Sequence, residues 1–265
     1  MIPAGFWWGA AALSALGVSA RWNWWRPAAE GLPVLMYHKV GDPPPGSRLK
    51  KLWVSVAKFR RQMEYLKTHG YQPATFAELA EDPARFSRPV VLSFDDGYLN
   101  NYQNAFPLLR EFGFRAVVFL VVDAIGKDNF WHDPRNEVRI PMLSREQILE
   151  MQAAGVEFGS HTFSHPRLSR LDDAAARREI IESRRALEVL LGRAPVPFAY
   201  PYGDGQDEPR LWKIVEEAGY RWACAIHQGK ARPEKNPYSL RRIFVRGDDG
   251  LWDFHLNLTR GRARF

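Results

Sequence analysis

Seven short apolar runs, rich in β-branched and aromatic residues, constrain this chain more than any other feature. They fall at residues 33–38, 89–94, 116–122, 156–160, 197–200, 221–226 and 240–245. Stretches of helical spacing separate most of them. Val56, Phe59, Met63 and Leu66 recur with that spacing until Gly70, and residues 104–112 form a second helix closed by Gly113. Ser144 and Gln147 make a capping box for a third, which ends at Gly155. Residues 172–191 turn Ile180, Leu187 and Leu190 to one face and stop at Gly192, and residues 208–218 stop at Gly219. Strands alternating with helices dictate a mostly parallel sheet, and seven such units are enough to close a barrel. The predicted fold is α/β, a distorted (β/α)7-type barrel in one domain over residues 31–250. An apolar segment at 1–30 precedes it, and an amphipathic helix at 251–258 with a basic tail, Arg260, Arg262 and Arg264, follows it within 251–265.

In a parallel barrel, chemistry sits at the carboxyl ends of the strands. The second run, PVVLSFDDG, ends there on Asp95 and Asp96. Asp-Gly after an apolar run is also a common turn, so the neighbouring strand ends must decide. The fourth run delivers His161, with His165 four residues later in HTFSHP, and the fifth ends in YPYG, Tyr200 to Gly203. Two imidazoles at that spacing aim at one point from a helical turn or a tight loop, and a carboxylate beside them completes a three-ligand set with room for water and substrate. Adjacent strand residues face opposite ways unless the strand breaks, and Gly97 permits the break. One aspartate then binds metal while its neighbour takes a proton from the water that attacks an amide or ester carbonyl. A backbone N–H in the turn at Pro201, Tyr202 and Gly203 is placed to meet the developing oxyanion.

The formal charge of +7 favours anionic surroundings such as a phospholipid surface, a lipid-linked phosphosugar or an acidic glycan. The basic residues match no nucleic-acid motif, so nucleic acid is not an expected partner. Cys224 is the only cysteine, which excludes an internal disulfide. Residues 6–20 are apolar and are followed by Arg21, Trp22, Trp24, Trp25 and Arg26. That composition suits a secretory signal, an uncleaved anchor or a helix lying on a membrane, and the expected location is membrane-associated with its side left open.

The three strand-end motifs together resemble those of the polysaccharide deacetylases of the NodB-homology type, carbohydrate esterase family 4. SFDDG resembles the family's TFDDG, HTFSHP its H-S/T-x-x-H-P, and YPYG its R-x-P-Y-G, in matching order over about residues 33–245. The resemblance implies hydrolysis of N-acetyl groups on amino sugars of a bacterial envelope glycan, polymeric or lipid-linked, with one divalent metal, zinc first and cobalt or nickel as substitutes. It implies Asp95 as general base, Asp96, His161 and His165 as metal ligands, the Tyr202 N–H as oxyanion donor, and Thr162 as the hydroxyl that steadies the second histidine. PVLMYHKV, EFGSHT and YPYG are most similar to the subgroup that includes poly-N-acetylglucosamine deacetylases. Two departures stand out. Ala199 replaces the arginine of the third motif, and Arg242 is the expected surrogate beside Asp95. The later D-x-x-x-W and L-x-H motifs are absent, which leaves His227, at the end of the sixth run, as first candidate for the general acid and His38 as second. Trp131 and His132, in the long loop at 126–141, are candidates to line a sugar groove. The competing functions are a glycan-binding protein with weak or no activity, and a deformylase or O-deacetylase on the same scaffold.

Overall fold

The computed structural model describes residues 24–263 together with Trp7, Ser14, Gly17 and Trp22. Most of the predicted apolar segment, and Arg264, lie outside the described residues. Seven strands, all parallel to their neighbours, close into a barrel: β1 (Val34–Tyr37), β2 (Pro89–Phe94), β3 (Val117–Leu120), β4 (Glu157–Ser160), β5 (Pro197–Ala199), β6 (Trp222–Gln228) and β7 (Leu240–Phe244). Each strand pairs with the next in sequence, and β1 closes the ring by pairing with both β2 and β7. The register of β1 on β2 runs from Val34 opposite Val91 to Tyr37 opposite Phe94.

Strand alternation sorts the side chains into two layers. Val34, Val91, Val117 and Phe119 pack together inside the barrel with Ala199, Cys224 and Leu240. Their neighbours Leu35, Leu92 and Val118 face outward onto the surrounding helices. Those helices are α1 (Val56–Thr68), α3 (Phe106–Phe112), α4 (Arg145–Ala153), α5 (Asp173–Leu191), α6 (Pro209–Glu217) and α7 (Leu251–Arg260). The Ser144–Gln147 capping box is formed, Asp172 caps α5, and left-handed glycines at 113 and 192 close α3 and α5. The C-terminal helix is part of the same core: Phe254 and Leu258 join the cluster that includes Phe59 and Leu66 of α1. Trp22 is tied to it by a 2.8 Å hydrogen bond from its indole to Asp253.

One helix escaped the sequence reading, α2 (Phe76–Glu81). It is short, but its start carries a capping box, Thr75 with Glu78, which is the signal that would have found it. Phe76 and Leu79 plug the amino-terminal end of the barrel interior. Glu157 of β4 accepts from the first two amides of the helix, Phe76 N–H at 2.6 Å and Ala77 N–H at 3.1 Å. Burial pushes the Glu157 carboxyl up to about 7 against those two hydrogen bonds.

Candidate active site

The opposite end of the barrel collects the strand-end motifs. Asp96 follows β2 in a left-handed conformation, φ 75°, and Gly97 follows it at φ 85°. A Cβ at Gly97 would lie 2.6 Å from a methyl of Leu120, so only glycine fits the turn that redirects Asp96. His161 leaves β4, and the loop after it bends through two more left-handed residues, Thr162 at φ 68° and His165 at φ 65°. Glu179 of α5 holds that loop from outside, accepting from the amides of Phe163 at 3.0 Å and Ser164 at 2.9 Å. Thr162 holds it from inside: its hydroxyl donates to the His161 carbonyl at 2.6 Å and accepts from the His165 amide at 3.0 Å. Among the described residues the four non-glycine positions with positive φ are Asp96, Thr162, His165 and Tyr202, all at this site. Backbone strain of this kind persists only where the surroundings enforce it.

The result is a buried cluster in which Asp96, His161 and His165 each offer a ligand atom within 4.8 Å of the others. Nε2 of His161 lies 3.4 Å, and Nε2 of His165 3.3 Å, from Oδ1 of Asp96. His161 Nδ1 donates to the Ala199 carbonyl at 2.8 Å, which aims its Nε2 at the cluster; burial lowers its pKa, but Asp96 and Asp95 outweigh burial and hold it above the ordinary value. Burial holds His165 down to about 4, and therefore neutral at pH 7, against the pull of Asp96. Burial would raise the Asp96 carboxyl, but hydrogen bonds from His161 and His165 outweigh it and hold Asp96 well below the usual carboxylate range. Two imidazoles and a carboxylate converging on one point are a donor set that fits a divalent ion such as zinc, whose binding would take the proton from His161 Nε2.

Asp95 points into the barrel beside them. Arg242 of β7, fully buried, grips it with both arms of its guanidinium, 2.6 Å to Oδ1 and 2.8 Å to Oδ2. Its Nε donates to the Ala225 carbonyl at 2.8 Å, so the guanidinium is fixed from two sides. Burial again raises the carboxyl, and Arg242, then His161 and His38, outweigh it, so Asp95 is held charged below its ordinary value. The cation expected to replace the third-motif arginine is thus in contact with Asp95.

His38 follows β1 with Nε2 3.9 Å from Oδ2 of Asp95, and burial lowers its pKa more than the two aspartates raise it. His227 is not brought to the site. The strand runs two residues further than predicted, and its register against β7 shifts from Leu240 opposite Cys224 to Arg242 opposite Gln228. Alternation from Cys224, which faces the barrel interior, puts Ile226 and Gln228 on the cleft side and His227 on the other, where it lines a separate groove and meets Asp207 at 2.8 Å.

The cleft over these groups has a volume of about 510 Å³. Trp131 stacks on His165 with ring centres 4.5 Å apart, and Tyr202 meets the same imidazole edge-on at 4.5 Å. Tyr202 itself is left-handed, φ 58°, within the turn Pro201–Gly203. His132, Leu49, Leu52 and Phe244 complete much of the wall. Glu137 locks two rim loops together by accepting from the Ser47 hydroxyl at 2.6 Å and the amides of Arg48 and Leu49 at 2.9 and 3.0 Å. Lys39 is a further buried residue that sequence reasoning did not single out; its amine sits 4.4 Å from the centre of the Tyr98 ring.

Comparison with known proteins agrees with this geometry. A family model described as polysaccharide deacetylase matches residues 84–223. The chain is 29% identical over 218 residues to YxkH of Bacillus subtilis, covering 81% of this chain and 71% of that one. It is 25% identical over 212 residues to a poly-beta-1,6-N-acetyl-D-glucosamine N-deacetylase of Staphylococcus aureus, covering 76% and 70% of the two chains. The solved structure of IcaB from Ammonifex degensii superposes with a TM-score of 0.67 at 28% identity, over 83% of this chain and 94% of that chain. With its parallel seven-strand barrel and a family match that spans the aspartate, histidine and YPYG motifs, this chain belongs to the polysaccharide deacetylase family.

Proposed function

We propose that the protein is a metal-dependent N-deacetylase of amino sugars in a bacterial glycan, converting an acetamido group and water into an amine and acetate. The observation that carries this reading is Asp95 held as a carboxylate by Arg242 directly beside the Asp96, His161 and His165 cluster. Those three residues would hold the ion, zinc in preference to cobalt or nickel. When bound, it supplies Lewis acidity that polarises the acyl carbonyl and acidifies water. Asp95 takes the proton of the attacking water. Because Arg242 holds the Asp95 carboxyl below its ordinary pKa against burial, that proton is readily given up again, and His38 Nε2, 3.9 Å away, is the group that receives it and passes it to the departing amine. The Tyr202 N–H donates to the carbonyl oxygen as negative charge develops there. Trp131 and Tyr202 offer aromatic faces to the sugar ring.

The names of the relatives support poly-N-acetylglucosamine as a first substrate to test. Zinc-loaded protein should release acetate from N-acetylglucosamine oligomers, and a chelator should abolish the release until zinc or cobalt is returned. Turnover that survives complete chelation would overturn the reading. Tight glycan binding with no acetate at any metal loading would favour a binding protein instead, and faster release from formamido or O-acetyl sugars would redirect the substrate. The envelope location is part of the same proposal. Trp24 and Trp25 are about half exposed, as are Leu251 and Trp252 on α7, near the Trp22–Asp253 hydrogen bond, and such a surface suits a membrane interface. Among the described residues no helix is long and apolar enough to cross a membrane. Sedimentation with liposomes that is lost when Trp24 and Trp25 become serine would support the surface mode.

A further inference from the structure

Most charged groups that line the cleft are answered within the protein. Asp95 is matched by Arg242, Asp96 faces two imidazoles, and Glu137 accepts three hydrogen bonds. Arg246 is the exception. It sits just beyond β7, partly buried in the cleft wall, with its guanidinium 5.5 Å from the centre of the Phe244 ring. Among the described residues no carboxylate comes within ion-pair distance of that guanidinium. The backbone beneath it is fixed, because the Arg246 amide donates to the Asp249 carboxylate and the Asp249 amide donates to the Arg246 carbonyl, each at 3.1 Å. A planar fork of five donors, partly withdrawn from water and unanswered, is an incomplete recognition site for an oxyanion.

Arg246 also opens onto a second cavity of about 190 Å³, which shares Gln228, Phe244 and Arg246 with the cleft. Asn257 and Arg262 line its far side, and among the described residues Asp249 is the one carboxylate in its wall. The two cavities are therefore adjoining compartments of one binding surface, the first apolar and aromatic around the reacting group, the second polar and cationic.

We infer that the second cavity is an anion subsite. It takes a phosphate or carboxylate group carried on the sugar next to the acetamido group that is hydrolysed, with Arg246 as the specificity-determining residue. This rests on the deacetylase reading above. A divalent ion at the Asp96 cluster makes the cleft still more positive, which strengthens the selection for an anionic substrate.

The test compares three N-acetylglucosamine trimers on the zinc-loaded protein: neutral, phosphorylated on one sugar, and carrying one uronic acid. A charge-assisted contact of this kind contributes about 1.5 kcal/mol or more, so kcat/KM for an anionic trimer should exceed the neutral one about tenfold, mainly through KM. The preference should shrink at high salt, and R246Q should remove most of it. Whichever anionic arm is faster identifies phosphate or carboxylate as the source. Equal kcat/KM for all three trimers, or an equal loss on all three in R246Q, would overturn the subsite. If no trimer releases acetate, the deacetylase reading fails separately, and calorimetric binding of the phosphorylated trimer still decides. Affinity about tenfold tighter for wild type than for R246Q supports the subsite, and equal affinity rejects it.

Discussion

The two ends of the barrel each bury carboxylates on strand β2 or β4, yet treat them in opposite ways. At the amino-terminal end, Glu157 takes its hydrogen bonds from backbone amides of α2, and burial lifts its pKa to about 7. At the carboxyl end, Asp95 meets a guanidinium that holds it charged, and Asp96 meets two imidazoles. Left-handed non-glycine residues occur at the second end and, among the described residues, nowhere else. A carboxylate that closes a barrel can be left to neutralise itself, whereas one that stays ionised in a buried site needs a permanent cation at its side.

The comparison can be broken by experiment. The largest effect should come from His161→Ala with His165→Ala, which should reduce acetate release to background and abolish zinc binding measured by mass spectrometry or calorimetry; full activity would remove the cluster from the mechanism. Asp95→Asn should lower kcat about 10²–10⁴-fold while zinc remains bound, and loss of zinc instead would mean that the two aspartates have exchanged roles. Arg242→Met leaves a buried carboxylate without its cation. It should cost about 3–5 kcal/mol in denaturant unfolding, and burial, now unopposed, should raise the Asp95 pKa and move the acid limb of kcat/KM to higher pH. An unmoved acid limb would show that Asp95 does not depend on Arg242. The smallest effect on activity belongs to Glu157→Gln, which should leave acetate release nearly intact and change only stability. The folded pKa of about 7 lies above the ordinary 4.5 of glutamate, so this group's contribution is fully present below pH 4.5 and is lost as pH rises to 7. The loss amounts to about 3 kcal/mol at 1.36 kcal/mol per pKa unit, and the glutamine variant should flatten that slope.

What the sequence revealed follows the range of the interactions involved. Strand runs, helix caps and stop glycines are local, and the predicted helices and strands recur in the structure with small shifts at their ends. The aspartate, histidine and YPYG motifs were legible because each sits at the end of a strand that a parallel barrel must bring to one face. Arg242 was reachable only by asking what replaces an absent arginine, since it lies 147 residues from Asp95. His227 was misplaced because the strand was taken to end at Ile226, whereas β6 continues to Gln228 and alternation from the interior Cys224 turns His227 away from the cleft. Arg246, Lys39 and Glu157 carry no local signal, and their surroundings exist only after the barrel has closed.

That closure also sets a clock. The ring is completed by the last strand, Leu240–Phe244, which docks between β1 and β6 and brings Arg242 onto Asp95. A chain emerging from the ribosome displays its aspartates and both histidines long before it holds the cation that keeps Asp95 ionised. The proposed catalysis thus waits on the docking of β7, and a chain cut before that strand would hold no guanidinium at Asp95.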